Sequence, residues 1–142
     1  YENVKWYGNG PEENYSDRKC GAKLGIYKNK VIDNMTPYLM PQECGNKTDT
    51  RWFEVLDNKG TGLKISSNEP FEFSALPYTA HELESAAHHY ELPKVHSTVL
   101  CINKFQMGIG GDDSWGAPTH DEFLLKSNKD LELNFDIEFV EK

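Results

Sequence analysis

The chain has no excess of positive charge, no long apolar run and no regular cysteine framework, and each absence removes a class of function. Lys and Arg total 15 against 23 Asp and Glu, for a formal charge of −8. Neutralising a phosphate backbone takes clustered Lys and Arg. Here Lys is scattered among acids, so no nucleic acid is expected as a partner, and no anionic membrane surface either. No stretch approaches the ~18 apolar residues that a membrane helix needs. Cys20, Cys44 and Cys101 are odd in number and widely spaced, which fits neither a disulfide framework nor a zinc ribbon. Reduced thiols and a cytoplasmic location are the expectation. Internal repeats and low-complexity tracts are missing too. The first residue is Tyr1, with no signal-peptide pattern before the first patterned segment, so the chain reads as an excised piece of a longer soluble protein. Its 142 residues suit one domain, able to bury about two-thirds of its unfolded surface.

What is present is period two. Leu131, Leu133, Phe135, Ile137 and Phe139 alternate with Glu132, Asn134, Asp136 and Glu138, which predicts a strand with one buried and one solvated face. Phe53 and Val55 flank Glu54 before Asp57-Asn58-Lys59-Gly60, and Leu63 and Ile65 flank Lys64 beyond it, the pattern of a hairpin. A further strand is expected over Phe71, Phe73 and Ala75, punctuated by Pro70 and Pro77. Another is expected over Val99, Cys101, Phe105 and Met107. One segment departs from this habit: between Thr79 and His89, Ala80, Leu83, Ala86 and Ala87 recur at helical spacing, and Thr79 with Glu82 matches a capping box. Antiparallel strands with a single short helix predict an all-β, antiparallel β-sandwich.

The densest chemistry lies in Phe105-Gln106-Met107-Gly108-Ile109-Gly110-Gly111-Asp112-Asp113-Ser114-Trp115-Gly116-Ala117-Pro118. Glycines permit close backbone approaches that Cβ-bearing residues resist. An indole presented on the loop that follows can lie against the C–H face of a pyranose while carboxylates and amides accept its hydroxyls. Trp115, Asp112, Asp113 and His120 are therefore the candidate substrate-binding residues. Trp in a β-protein is more often core than platform, and one of the two aspartates is expected to fix the glycine turn through backbone N–H groups. Adjacent carboxylates in extended chain point to opposite sides and do not flank one bond. His81, His88 and His89 lack the spacing of a metal-binding helix, and no metal or catalytic residue is assigned.

Four runs carry a resemblance: the glycine run above, Gly8-Asn9-Gly10-Pro11-Glu12-Glu13-Asn14-Tyr15-Ser16-Asp17-Arg18, Thr36-Pro37-Tyr38-Leu39-Met40-Pro41-Gln42-Glu43, and Phe73-Ser74-Ala75-Leu76-Pro77-Tyr78. In chain order, from Gly8–Arg18 to the glycine run, and nearly end to end, they resemble the C-terminal β-sandwich, or small-chain domain, of the bacterial β-galactosidases. The resemblance implies the supersandwich shared with galactose mutarotases, with residues 1–142 as the C-terminal part of that domain. It also implies a catalytic barrel domain or large subunit as partner, carrying both catalytic glutamates of a retaining glycoside hydrolase. The magnesium and sodium of the parent enzymes are implied to belong to other domains, so no cofactor is expected here. The family shows Asn, Gly, Asn, Arg where this chain has Cys44, Gly45, Asn46 and Lys47; if that Arg makes a forked contact with a carboxylate, Lys47 replaces it with a point charge.

The function implied is a non-catalytic segment or small subunit of a β-galactosidase acting on terminal β-D-galactosides such as lactose. Trp115 would stack on the galactoside or acceptor sugar at the active-site mouth. A free-standing carbohydrate-binding module, a mutarotase-like enzyme and a purely structural cap stay open as alternatives. Without its neighbour, the segment is expected to expose apolar surface and self-associate.

Overall fold

Residues 1–141 are described by a computed structural model. They form strands β1 (Asn3–Gly10), β2 (Lys23–Lys30), β3 (Lys47–Leu56), β4 (Gly62–Leu76), β5 (Val99–Asn103) and β6 (Asp136–Val140), with one helix α1 (Ala80–Glu84) between β4 and β5. The class is the expected all-β sandwich, antiparallel throughout with a single short helix. The sheet order is β2-β1-β3-β4-β5, and β6 also lies on β4. The two last strands share the length of β4: β6 pairs with Gly62–Ser66 and β5 with Glu72–Leu76.

Register explains the core. Tyr27, Trp6, Phe53 and Ile65 sit opposite one another across β2, β1, β3 and β4, as do Val4, Val55 and Leu63, and directly paired residues point to the same face. Trp6, Phe53, Ile65, Phe71 and Phe73 are buried there, with Val31 from the turn after β2 packed among them. The Phe53 and Phe73 rings stack at 4.1 Å, nearly parallel. A smaller cluster joins Cys44, Leu76 and Leu83, and through Leu83 it docks α1.

The Asp57–Gly60 hairpin forms as expected: Asp57 Oδ1 accepts from the Lys59 and Thr61 N–H groups. Four expectations about the strands change. The strands expected around Leu63 and Phe71 are one strand, β4, whose register against β3 shifts between Thr50↔Phe71 and Trp52↔Ser66, so that Pro70, with no N–H to give, falls in a bulge. The strand expected from Leu131 begins only at Asp136. The same bulge denies residues 131–135 a straight partner edge, and only the Ser67 hydroxyl reaches the Asn134 carbonyl. Of the expected buried face only Leu133 packs against the core, while Leu131, Phe135, Ile137 and Phe139 are exposed. The strand through Cys101 ends at Asn103, leaving Phe105 and Met107 on irregular chain.

The capping box is present, with Thr79 Oγ1 accepting from Glu82 N and Glu82 Oε2 from Thr79 N. The helix nonetheless stops at Glu84 rather than reaching His89. Glu91 Oε2 takes the Ala87 and His88 N–H groups, donors that a longer helix would need for its own carbonyls. Among the described residues no helix is long and apolar enough to cross a membrane.

Candidate functional site

After β5 the chain leaves the sheet and crosses to the loop that follows β1. Two glycines make that path possible. A Cβ on Gly108 would lie 2.7 Å from Asp17 Oδ2, and one on Gly111 would lie 2.1 Å from the Ala117 carbonyl oxygen; neither position admits a side chain. Asp17 Oδ2 accepts from Gly110 N at 2.9 Å, tying this segment to chain 93 residues earlier. Gly108 N donates to the Phe123 carbonyl at 2.8 Å, and the Thr119 hydroxyl donates to the Gly108 carbonyl at 3.2 Å. The loop from Gly108 to Thr119 is therefore pinned at its base.

Three of the four candidate residues lie within it and His120 directly after it, and they occupy different roles. Asp113 Oδ1 accepts from the N–H groups of Trp115 (2.8 Å) and Ala117 (3.3 Å), so the turn-fixing aspartate is Asp113. Asp112 faces the other way and bonds His120 Nε2 at 2.8 Å. Trp115 itself is 92% exposed. The indole is thus held out by a braced backbone while its own face is uncovered. Of the other two tryptophans, Trp6 is core and Trp52 is partly buried beneath the Lys5 ammonium.

The loop after β1 rests on a buried polar network. Asn14, 1% exposed, accepts through Oδ1 from the Thr48 N–H (3.0 Å) and hydroxyl (2.6 Å). Asn46 Nδ2 donates to the Asn14 carbonyl (3.0 Å) and to Glu72 Oε2 (2.8 Å). Glu13 receives the hydroxyls of Tyr38 and Tyr15 and the N–H of Gly45. Burial alone would raise the Glu13 carboxyl, but these donors outweigh it and hold the group below its ordinary value. Burial pushes Glu72 up despite its bond from Asn46, and it likewise raises the Cys44 thiol. Lys47 is 2% exposed. Its Nζ lies 5.2 Å from the Trp6 ring centroid, so where a forked carboxylate contact was in question, the cation meets an aromatic face.

The sequence reading placed no structural weight on Asp17 as an anchor of the Trp115 loop. Its position inside the run Gly8–Arg18 was the available signal, but which of that run's polar groups reaches a segment 93 residues away is not written in local pattern. Among the histidines outside the loop, His89 Nε2 meets the Tyr38 carbonyl at 2.7 Å, and His88 and His96 lie near Glu91 and Glu82.

Comparison with known proteins adds to this geometry. Residues 1–137 match the family described as "Beta galactosidase small chain". The chain is 55% identical over 141 residues to a β-galactosidase of Halalkalibacterium halodurans, covering 99% of this chain and 14% of that protein. It is 48% identical over 139 residues to a β-galactosidase of Streptococcus thermophilus, covering 97% and 14%. It is 42% identical over 138 residues to the β-galactosidase small subunit of Latilactobacillus sakei, covering 89% and 43%. The chain therefore spans about a seventh of the length of the two β-galactosidases and less than half of the small subunit.

Proposed function

The chain belongs to the β-galactosidase small-chain family, and from that premise we propose that it is the non-catalytic part of a β-galactosidase, seated against a catalytic barrel domain or large subunit that carries both catalytic glutamates. The substrate class proposed is terminal β-D-galactosides such as lactose. Retaining hydrolysis needs an acid/base and a nucleophilic carboxylate about 5 Å apart across the glycosidic bond, and in this reading that pair lies outside the chain. Location in the cytoplasm is part of the same proposal.

The observation that carries the site is the exposed indole of Trp115 on a loop whose backbone is fixed by Asp113 and by Asp17. A pre-ordered platform binds a sugar face without the entropy of ordering it on contact. In this reading Trp115 stacks on the leaving-group or acceptor sugar, and the Asp112–His120 pair presents hydroxyl partners beside it. Holding an acceptor sugar there favours transfer of galactose to it over transfer to water.

The test is Trp115→Ala in the β-galactosidase that carries this chain. Acceptor binding should weaken by about 1–2 kcal/mol, with a matching fall in the transferred fraction. A variant that partitions galactose as the parent does would show Trp115 to be structural. The purified chain alone should not turn over a chromogenic galactoside, and genuine turnover would place the catalytic carboxylates within it.

A further inference from the structure

The four runs singled out in the sequence meet at a concavity of about 460 Å³ that Trp115 does not line, within the roughly 300–1,000 Å³ usual for small-molecule sites. Its wall includes Arg18 from the first run, Tyr38 from the second, Ser74 from the third and Gln106 from the fourth, together with Asn46 and Cys101. Asn46 is the informative member. It is 1% exposed, and both protons of its Nδ2 are committed, to the Asn14 carbonyl and to Glu72 Oε2. Because both partners are acceptors, the amide orientation is fixed. Its Oδ1 is then left buried with no donor among the described residues, an acceptor that calls for a hydrogen-bond donor. Arg18, exposed at the rim, makes no ion pair among the described residues.

These groups select a ligand class. A simple anion would suit Arg18 but offers no proton to an amide oxygen. A cation would suit Asn46 but faces the guanidinium. Hydroxyl groups both donate and accept. The formal charges in the wall, Arg18 and Glu43, cancel. The rings of Tyr15 and Tyr38 offer surface to C–H groups.

We propose that this concavity is a second sugar site of the small-chain domain, taking a neutral polyol of hexose size and separate from the Trp115 platform. It rests on the reading above only for the choice of sugar as the probe.

Two thiols make it testable, since Cys101 lies in the wall while exposed Cys20 lies outside it. The β-galactosidase carrying this chain is first inactivated with a mechanism-based galactosyl inhibitor, so that its active site takes no further sugar. It is then alkylated with iodoacetamide, with and without D-galactose, and each cysteine is followed by peptide mass spectrometry. Galactose should slow Cys101 at least fivefold and leave Cys20 unchanged. Arg18→Ala should raise the galactose concentration needed for this protection about tenfold, while Trp115→Ala should not alter it. Four results would each overturn the proposal: no protection, equal slowing at Cys20, protection that depends on Trp115 instead of Arg18, or a Cys101 that is inert before sugar is added because protein already fills the concavity. Such a failure leaves the partition measured for Trp115→Ala untouched, so the two readings fall separately.

Discussion

Lys47 carries an ammonium into the interior beside an indole instead of a carboxylate. Burial lowers its pKa from 10.5 to about 8, against the opposing pull of Glu12 and Glu13. Below pH 8 the folded chain holds a charge that the unfolded chain holds in water. Between pH 8 and 10.5 the unfolded state binds more protons, so stability rises with pH across that window, by up to about 3 kcal/mol. Lys47→Met keeps the length of the side chain and removes the titration. Thermal unfolding of both forms at pH 7.5 and pH 9.5 should show the variant's advantage shrinking as pH rises, and a constant difference would mean that Lys47 is charged throughout. Glu13 has the opposite sign: its carboxyl is held low by Tyr38, Tyr15 and Gly45, so its contribution is complete at neutral pH and is lost as pH falls through the folded-state value. Glu13→Gln should destabilise by about 1–3 kcal/mol at pH 7, and the gap should narrow below pH 4.5 in denaturant titrations. The Lys47 environment was not legible in the sequence, whereas a polar network joining Glu13 to Tyr15 was, though its donors Tyr38 and Gly45 come from elsewhere in the chain. The sequence marked Lys47 only as a point charge where the family has an Arg, and the Trp6 ring comes to it through a strand more than forty positions earlier in the chain.

At the scale of elements, sequence pattern succeeded where a segment's partners are local. The Asp57–Gly60 hairpin and the Thr79–Glu82 capping box are closed by residues two to four positions apart, and both were read correctly. It failed where distant pairing decides. In β2 the core face carries Tyr27, which pairs with Trp6, while the apolar Leu24 and Ile26 lie on the other face and are exposed. Apolar residues thus occupy both faces of an edge strand, and no alternation marks it. The glycine run was legible as a loop ending in a presented Trp115, and the turn-fixing role of one aspartate was legible too; its anchor Asp17 was not. A prediction follows for the loop itself. Asp113→Ala removes the acceptor for the Trp115 and Ala117 N–H groups but touches neither the indole nor the sheet. In the parent β-galactosidase, transfer to an added acceptor should fall about two- to tenfold through a raised acceptor KM, while hydrolysis of a chromogenic galactoside keeps its own KM. An unchanged acceptor KM would show that the indole needs no brace.

At the scale of the whole molecule, the core face of the sheet is finished on one side and open on the other. Ile137 and Phe139 of β6 pair with Ile65 and Leu63, so they continue the buried face, yet both are more than 60% exposed. The opposite face of the same strand is in order: Lys5, Glu54, Lys64 and Glu138 stand in cross-strand register with alternating charge, and Lys64 reaches Glu138 at 3.7 Å. The sequence predicted a buried face for β6 because its alternation is that of a half-buried strand, and the register agrees; only the cover is missing from residues 1–141. An apolar strand face of this kind buries itself against whatever fits. The chain studied alone should therefore self-associate through β6, with a weight-average mass by sedimentation that rises with concentration. Ile137→Thr with Phe139→Thr keeps β propensity while removing apolar surface, and should return the chain toward a monomer without loss of the Trp6 and Phe53 core. Exposed Leu39, Met40 and Trp115 lie on other segments, so a double variant that still associates to the same degree would move the contact away from β6.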